Sequence, residues 1–198
     1  MDITIDIRTI TLETERLLLR PGRMDDLDDF FAYASVDGVG QMAGWQPHAS
    51  RDVSRSILDK WTAEGEVFAI EHKGDGRVIG SLGVHTTRWE KTPGLDNPYA
   101  AKRTKELGYV LSRDYWGQGL MPEAVRRVQK YLFDEKHADI LFVSHYDFTT
   151  QSRRVIEKCG FVYLTEVEHY AKQLDRTLHL LHYCLPRETY YANNSGNF

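Results

Sequence analysis

The sequence predicts a single α/β domain with one mixed, mostly antiparallel sheet and a central parallel β-α-β unit. Three observations lead there. Strand-like apolar runs alternate with amphipathic helix-like runs along the chain, without repeats or an interdomain linker. Two of the apolar runs, "KELGYVLS" and "ILFVSHY", flank one helix-like segment, which forces them to pair in parallel through a crossover. The 198 residues, 41% of them hydrophobic, suit one domain with a sizeable core.

The elements follow in order. "ERLLLR" (Glu15–Arg20) reads as a strand. In "MDDLDDFFAYAS" the spacing of Leu27, Phe30, Phe31 and Ala34 predicts a helix with acidic residues in its first turn. Gly40, Gly44 and Pro47 mark a loop. A second helix, "DVSRSILDKWTAE", carries Val53, Ile57 and Trp61 on one side. "EVFAIEH" and "RVIGSLGVHTT" are strands joined by the tight turn "KGDG". A longer loop holds Pro93, Gly94 and Pro98, and the strand "KELGYVLS" follows. From Pro122 a helix places Ala124, Val125, Val128, Tyr131 and Leu132 on one face. "ILFVSHY" is a buried strand, "TTQSRRVIEKCG" a short helix, and "FVYLTEVEHY" with "RTLHLLHYCL" a closing hairpin. The last residues, "YYANNSGNF", read as a frayed tail. The expected division is an N-terminal extension over residues 1–13, the domain over 14–186 and a C-terminal tail over 187–198.

Composition narrows the function classes. Net charge is −4 with Lys and Arg scattered, so no basic stripe points to nucleic acid. The two cysteines, Cys159 and Cys184, lack CxxC spacing, which argues against a disulfide framework or a metal site. The first residues lack a basic stretch leading into a long apolar run, and nothing approaches the ~18 apolar residues of a membrane span. A cytoplasmic location with no membrane partner is the expectation.

The most informative stretch is "RDYWGQGLMPEAV", with Gly117 and Gly119 between a strand and a helix. Glycine lets the chain turn sharply and lets a ligand approach the backbone. The first amides of a helix lack intrahelical partners and carry partial positive charge, so this arrangement suits a phosphate. Pro122 gives up an amide that would be unpaired in any case. A tight strand-to-helix connection explains the same glycines. The fingerprints GxGxxG and GxxxxGK[ST] are both absent.

Four segments resemble the GNAT superfamily of acetyl-CoA-dependent N-acetyltransferases, and within it the ribosomal-protein (N-terminal alanine/serine) acetyltransferase branch. They are "TERLLLR" with its acidic helix, "ELGYVLSRDYWGQGLMPEA", "SRRVIEKCGF" and the closing hairpin. The resemblance runs from about Thr14 to Pro186. It implies acetyl-CoA as co-substrate, no metal, and an amine acceptor: a peptide N-terminus or a small amine. It implies a pyrophosphate cradle at Trp116, Gly117, Gln118, Gly119, Leu120 and Met121, and a pantetheine strand at Val110, Leu111 and Ser112. Two positions depart from the pattern. Thr149 stands where the branch has asparagine, so the pantetheine contact is either weaker or made through its hydroxyl, and Ile156 stands where many members have a tyrosine general acid.

Acetyl transfer to an amine requires removal of the amine's proton and a proton for the departing thiolate. The resemblance assigns the base to Glu106 and the acid to Ser152. Pairing of Glu106 with Lys105 or Arg103, and capping of a helix by Ser152, are the structural alternatives. His85 and His145 are reserves, and Cys159 reads as core. The acceptor is expected along "MAGWQPHAS", with Trp45 as an apolar wall and His48 as a hydrogen-bonding group. A non-catalytic coenzyme A-binding or sensor domain of the same fold is the alternative function. A monomer and a homodimer are both compatible with the sequence.

Overall fold

A computed structural model of the chain describes residues 3–87, 99 and 101–195, so the expected loop with Pro93, Gly94 and Pro98 lies outside the described residues. The strands are β1 (Leu12–Glu13), β2 (Leu17–Pro21), β3 (Val67–His72), β4 (Arg77–His85), β5 (Thr104–Leu111), β6 (Ile140–Tyr146), β7 (Val162–Ala171) and β8 (Arg176–Pro186). They form one sheet in the order β1-β2-β3-β4-β5-β6-β8-β7. Among the described residues only β5 and β6 pair in parallel. The helices are α1 (Leu27–Ala34), α2 (Arg51–Glu64), α3 (Leu120–Lys130), α4 (Thr150–Lys158) and α5 (Arg187–Asn194).

The apolar stripes decide which face each helix covers. Ala124, Val125 and Val128 of α3 join Leu107 and Leu111 of β5, and Leu141 and Val143 of β6, in the main core. Phe30, Tyr33 and Leu58 of α1 and α2 pack with Ala69 and Val78 in a second core. Val110 packs against this second core. Strand alternation therefore puts Leu107, Tyr109 and Leu111 toward α3, and Glu106, Gly108 and Val110 toward the opposite face.

Three expectations change. Ile57 and Trp61 pack against the second core as expected, but the buried face of α2 centres on Ser54 and Leu58, and Val53 is 42% exposed. A polar residue occupies the core position because Ser54 Oγ lies 2.8 Å from His48 Nδ1, pinning the preceding loop. The expected frayed tail is largely α5, held by tertiary contacts its polar sequence does not announce. Tyr190 stacks on Phe133 at 4.5 Å, and Arg187 Nε donates to the Ala138 carbonyl (2.7 Å). At the other end, Ile3, Ile5 and Ile7 are buried in the main core, so much of the 1–13 extension packs against the domain. No helix among the described residues is long and apolar enough to cross a membrane.

One buried ion pair fixes the entrance to α1. Arg20 on β2 donates to both Asp26 carboxylate oxygens (2.8 Å each) and to Glu71 on β3 (2.7 Å). Arg20 and Asp26 are 7% and 5% exposed. Asp26→Ala removes the bidentate partner of a buried guanidinium and leaves it only Glu71 and the Pro21 carbonyl, which should cost about 3 kcal/mol, read as a lower midpoint in urea. A loss below about 1 kcal/mol would mean that water reaches the arginine.

Candidate active site

The parallel pair does not run the length of its strands. Its register covers Thr104↔Ile140 to Leu107↔Val143 and then stops, although β5 continues to Leu111 and β6 to Tyr146. Beyond Leu107 the strands part, while β4 still pairs with β5 as far as Leu111. A cleft of about 350 Å³ opens there. Its walls are Val110 and Leu111 of β5, the loop residues Trp116, Gly117 and Gly119, and Leu120 and Met121 at the start of α3. Ser152 and Val155 of α4 face them, with Arg154 and Lys158 adding positive charge, and Met42 and Ala43 close another side.

The glycine loop is held open from outside. Gly117 and Gly119 both take φ +77°, a conformation that disfavours any side chain. A Cβ on Gly117 would meet nothing within 4 Å, and one on Gly119 only Arg16, at 3.7 Å. The space beside Gly117 is open, and that beside Gly119 meets only the end of the Arg16 side chain, which suits a cradle for a phosphate. Trp116 Nε1 donates to the Leu111 carbonyl (2.8 Å), and Tyr115 Oη donates to Asp75 (2.7 Å). The first α3 amide to reach a carbonyl is that of Glu123, on Gly119 (3.2 Å). Those of Leu120 and Met121 come before it, where the helix provides no acceptor.

Glu123 itself faces away from this space. It accepts from Thr14 Oγ1 (2.6 Å) and from Arg16 N and Nε (3.0 and 2.7 Å). Burial pushes its carboxyl up, but these hydrogen bonds outweigh that and hold it below its usual range. Arg16 also donates to the Gln118 carbonyl (3.0 Å). The glutamate of "PEA" thus moors the loop to the start of β2, a role its motif position alone does not disclose.

Most residues expected at the cofactor loop line the cleft. Three do not. The Ser112 amide donates to the Ile79 carbonyl (2.7 Å). The Gln118 side chain turns back to the Asp114 carbonyl (3.1 Å). Thr149 is fully buried, and its hydroxyl donates to the Tyr146 carbonyl (2.7 Å) to shape the turn into α4. Ile156 points into the main core and is 1% exposed.

Ser152 does line the cleft, and its hydroxyl lies 3.1 Å from that of Tyr109. Tyr109 was not singled out in the sequence, yet it also lines the cleft. The signal was strand parity, since Tyr109 stands two positions before Leu111 and so shares its face. Burial holds the Tyr109 phenol well above its ordinary value, so it keeps its proton.

Glu106 stands apart. It lies where β5 still pairs on both sides, opposite His85 on β4 and Phe142 on β6. Tyr109 is three residues further on, about 10 Å along the strand, and faces the other side of the sheet. The cleft is lined by β5 residues of both faces, Tyr109 and Leu111 on one and Val110 on the other. His85 lies beside Glu106, with Nδ1 3.3 Å from Glu66.

Trp45 and His48 are absent from the cleft wall, which takes Met42 and Ala43 instead. Trp45 covers Gly40, where an added Cβ would sit 2.2 Å from the indole. His48 packs edge-on against Phe30 at 5.2 Å, and burial lowers its imidazole's pKa. His145 is buried between the Tyr146 carbonyl (2.7 Å) and Tyr183 Oη (3.3 Å), and burial lowers its pKa too. Burial pushes the Cys159 thiol up to about 12, so it is a core residue and no nucleophile. Among the described residues no group of His, Cys, Asp and Glu is placed to hold a metal.

A mixed sheet opened at its one parallel pair, with a glycine loop entering a helix beside the opening, is the architecture of an acetyltransferase. The acetyltransferase (GNAT) domain family matches residues 16–162, and the chain belongs to that family. An uncharacterized N-acetyltransferase of Bacillus subtilis (strain 168), YoaA, is 25% identical over 155 residues, 76% of this chain and 81% of that protein. Another, p20 of Bacillus licheniformis, is 26% identical over 186 residues, 91% of this chain and 98% of that protein. A GNAT-family acetyltransferase structure from Bacillus anthracis superposes with a TM-score of 0.77 at 20% identity, covering 90% of this chain and 99% of that one. The ribosomal-protein-S5-alanine acetyltransferase of Vibrio fischeri superposes at 0.65 with 16% identity, covering 90% and 97%. At these identities the solved structures share the fold.

Proposed function

We propose that the chain transfers an acetyl group from acetyl-CoA to a primary amine by direct attack in a ternary complex. The acceptor is a protein or peptide N-terminus or a small-molecule amine. One observation carries this reading: the β5–β6 gap opens beside a glycine loop whose backbone is free of Cβ atoms at the start of α3. In this reading the loop amides and the α3 dipole hold the pyrophosphate, and the open edge of β5 at Val110 and Leu111 holds the pantetheine arm. The thioester then lies in the gap, within reach of both faces of the sheet. Glu106 takes the amine's proton from one face, directly or through water. Ser152 gives a proton to the departing sulfur from the other.

The test is release of coenzyme A thiol by the purified chain. It would be incubated with acetyl-CoA and a panel of N-terminal Ala, Ser and Met peptides, polyamines, aminoglycosides and amino acids. At least one primary amine should raise thiol release well above background hydrolysis, with the acetylated product seen by mass spectrometry. Tight acetyl-CoA binding with no transfer to any acceptor would favour the sensor reading instead.

A further inference from the structure

The Tyr109–Ser152 contact has a chemical consequence. Ser152 sits in the first turn of α4, whose N-cap position is Thr149. Among the described residues, the hydrogen-bond partner of its hydroxyl is Tyr109 Oη, at 3.1 Å. The backbone carbonyl of Ser152 is also within reach of the phenol, but further, at 3.3 Å. Both residues line the cleft, Tyr109 from the strand and Ser152 from the helix. They meet across the space between β5 and α4, where Ile156 provides no hydroxyl.

Resting on the acetyl-transfer reading, we propose that Tyr109 is a positioning residue that orients the Ser152 hydroxyl toward the leaving sulfur. In this proposal the one phenol proton is shared between Ser152 Oγ (3.1 Å) and the Ser152 carbonyl (3.3 Å), so that Oγ accepts on that side. That acceptance turns the serine's own proton away from the tyrosine and into the cleft. It also stabilises the negative charge that builds on Oγ as the proton leaves.

The step balances as follows. The base takes one proton from the ammonium, the freed lone pair forms the N–C bond, and the nitrogen then loses its second proton to water. The C–S bond breaks with its electron pair on sulfur. The sulfur takes the Ser152 proton, and Ser152 regains one from water in the open cleft. Tyr109 keeps its proton throughout.

Tyr109→Phe removes one oxygen and leaves the ring to pack. It should lower kcat about 10-fold, with KM for acetyl-CoA unchanged and the melting temperature close to wild type. Ser152→Ala should lose as much or somewhat more, and the double variant should be no slower than Ser152→Ala, because the two act as one unit. Wild-type kcat in Tyr109→Phe, or losses that multiply in the double variant, would overturn the proposal. Should Tyr109→Phe not fold, Tyr109→3-fluorotyrosine keeps ring and hydroxyl while making the phenol more acidic. With the stronger donor in place kcat at neutral pH should be at least that of wild type with KM unchanged, and a fall of about 10-fold would overturn the proposal. A wild-type chain that transfers no acetyl group to any acceptor would instead remove the acetyl-transfer reading, and this inference with it.

Discussion

Gly119→Val should weaken acetyl-CoA binding by about 100-fold or more, close to 3 kcal/mol, in a titration calorimeter. The two costs of the substitution can be separated. Within the free protein the new Cβ meets only Arg16, at 3.7 Å, so no clash unfolds the loop. The φ of +77° adds local strain of about 1–2 kcal/mol for a side chain, and a β-branched one is least suited to it. A domain of this size tolerates that. The larger cost falls on the ligand. The valine methyls occupy the space beside Leu120 and Met121 through which a phosphate must come within hydrogen-bond distance of their amides. Gly119→Ala should show the same direction with a smaller loss. Unchanged affinity in a folded Gly119→Val protein would leave the loop a plain strand-to-helix connection.

How much of this was legible follows from what each pattern encodes. The sheet's one parallel pair was legible because two apolar strands with a single helix between them permit no antiparallel closure. The parting of those strands beyond Leu107 and Val143 was not derivable from pattern, since "GYVL" and "SHY" stay strand-like whether or not they pair. Apolar periodicity set the buried face of α3 correctly, but on α2 it was displaced toward Val53. Ser54 is buried through a hydrogen bond to a loop histidine, and periodicity assigns polar residues to the surface. The helix α5 rests on an aromatic stack with Phe133, more than fifty residues away in sequence, which no local window contains.

The site divides in the same way. Glycines at positive φ announce themselves by residue type, so Gly117 and Gly119 could be read directly. Trp45 and His48 were singled out for their chemistry, yet their surroundings occupy it: one covers Gly40 and the other is bound to Ser54. Tyr109 shows the converse. Its importance lies in a neighbour 43 residues later in the chain, on a different element.

Glu106→Gln should lower kcat by roughly 10²–10⁴-fold while leaving acetyl-CoA affinity near wild type. The affinity is spared because Glu106 is not part of the cleft wall and lies on the sheet face opposite Ser152. Glutamine keeps the volume and much of the hydrogen bonding, so the fold should persist, and a thermal melt checks this. The loss should also depend on pH, in a direction that follows from the base's task. Below the acceptor's pKa the amine is an ammonium and needs a base in the site; above it the free amine arrives already deprotonated. The ratio of wild-type to variant rates should therefore shrink as pH rises through the acceptor's pKa. That crossover carries information about the substrate. A peptide α-amino group titrates at about 7.7–8.0 and a lysine-like alkyl amine at about 10.4. Recovery that begins near neutrality points to an N-terminus, and recovery confined to strongly alkaline solution points to an alkyl amine. A loss that is flat across both ranges would show that Glu106 does not take this proton. His85, its register partner on β4, would then be the next group to replace.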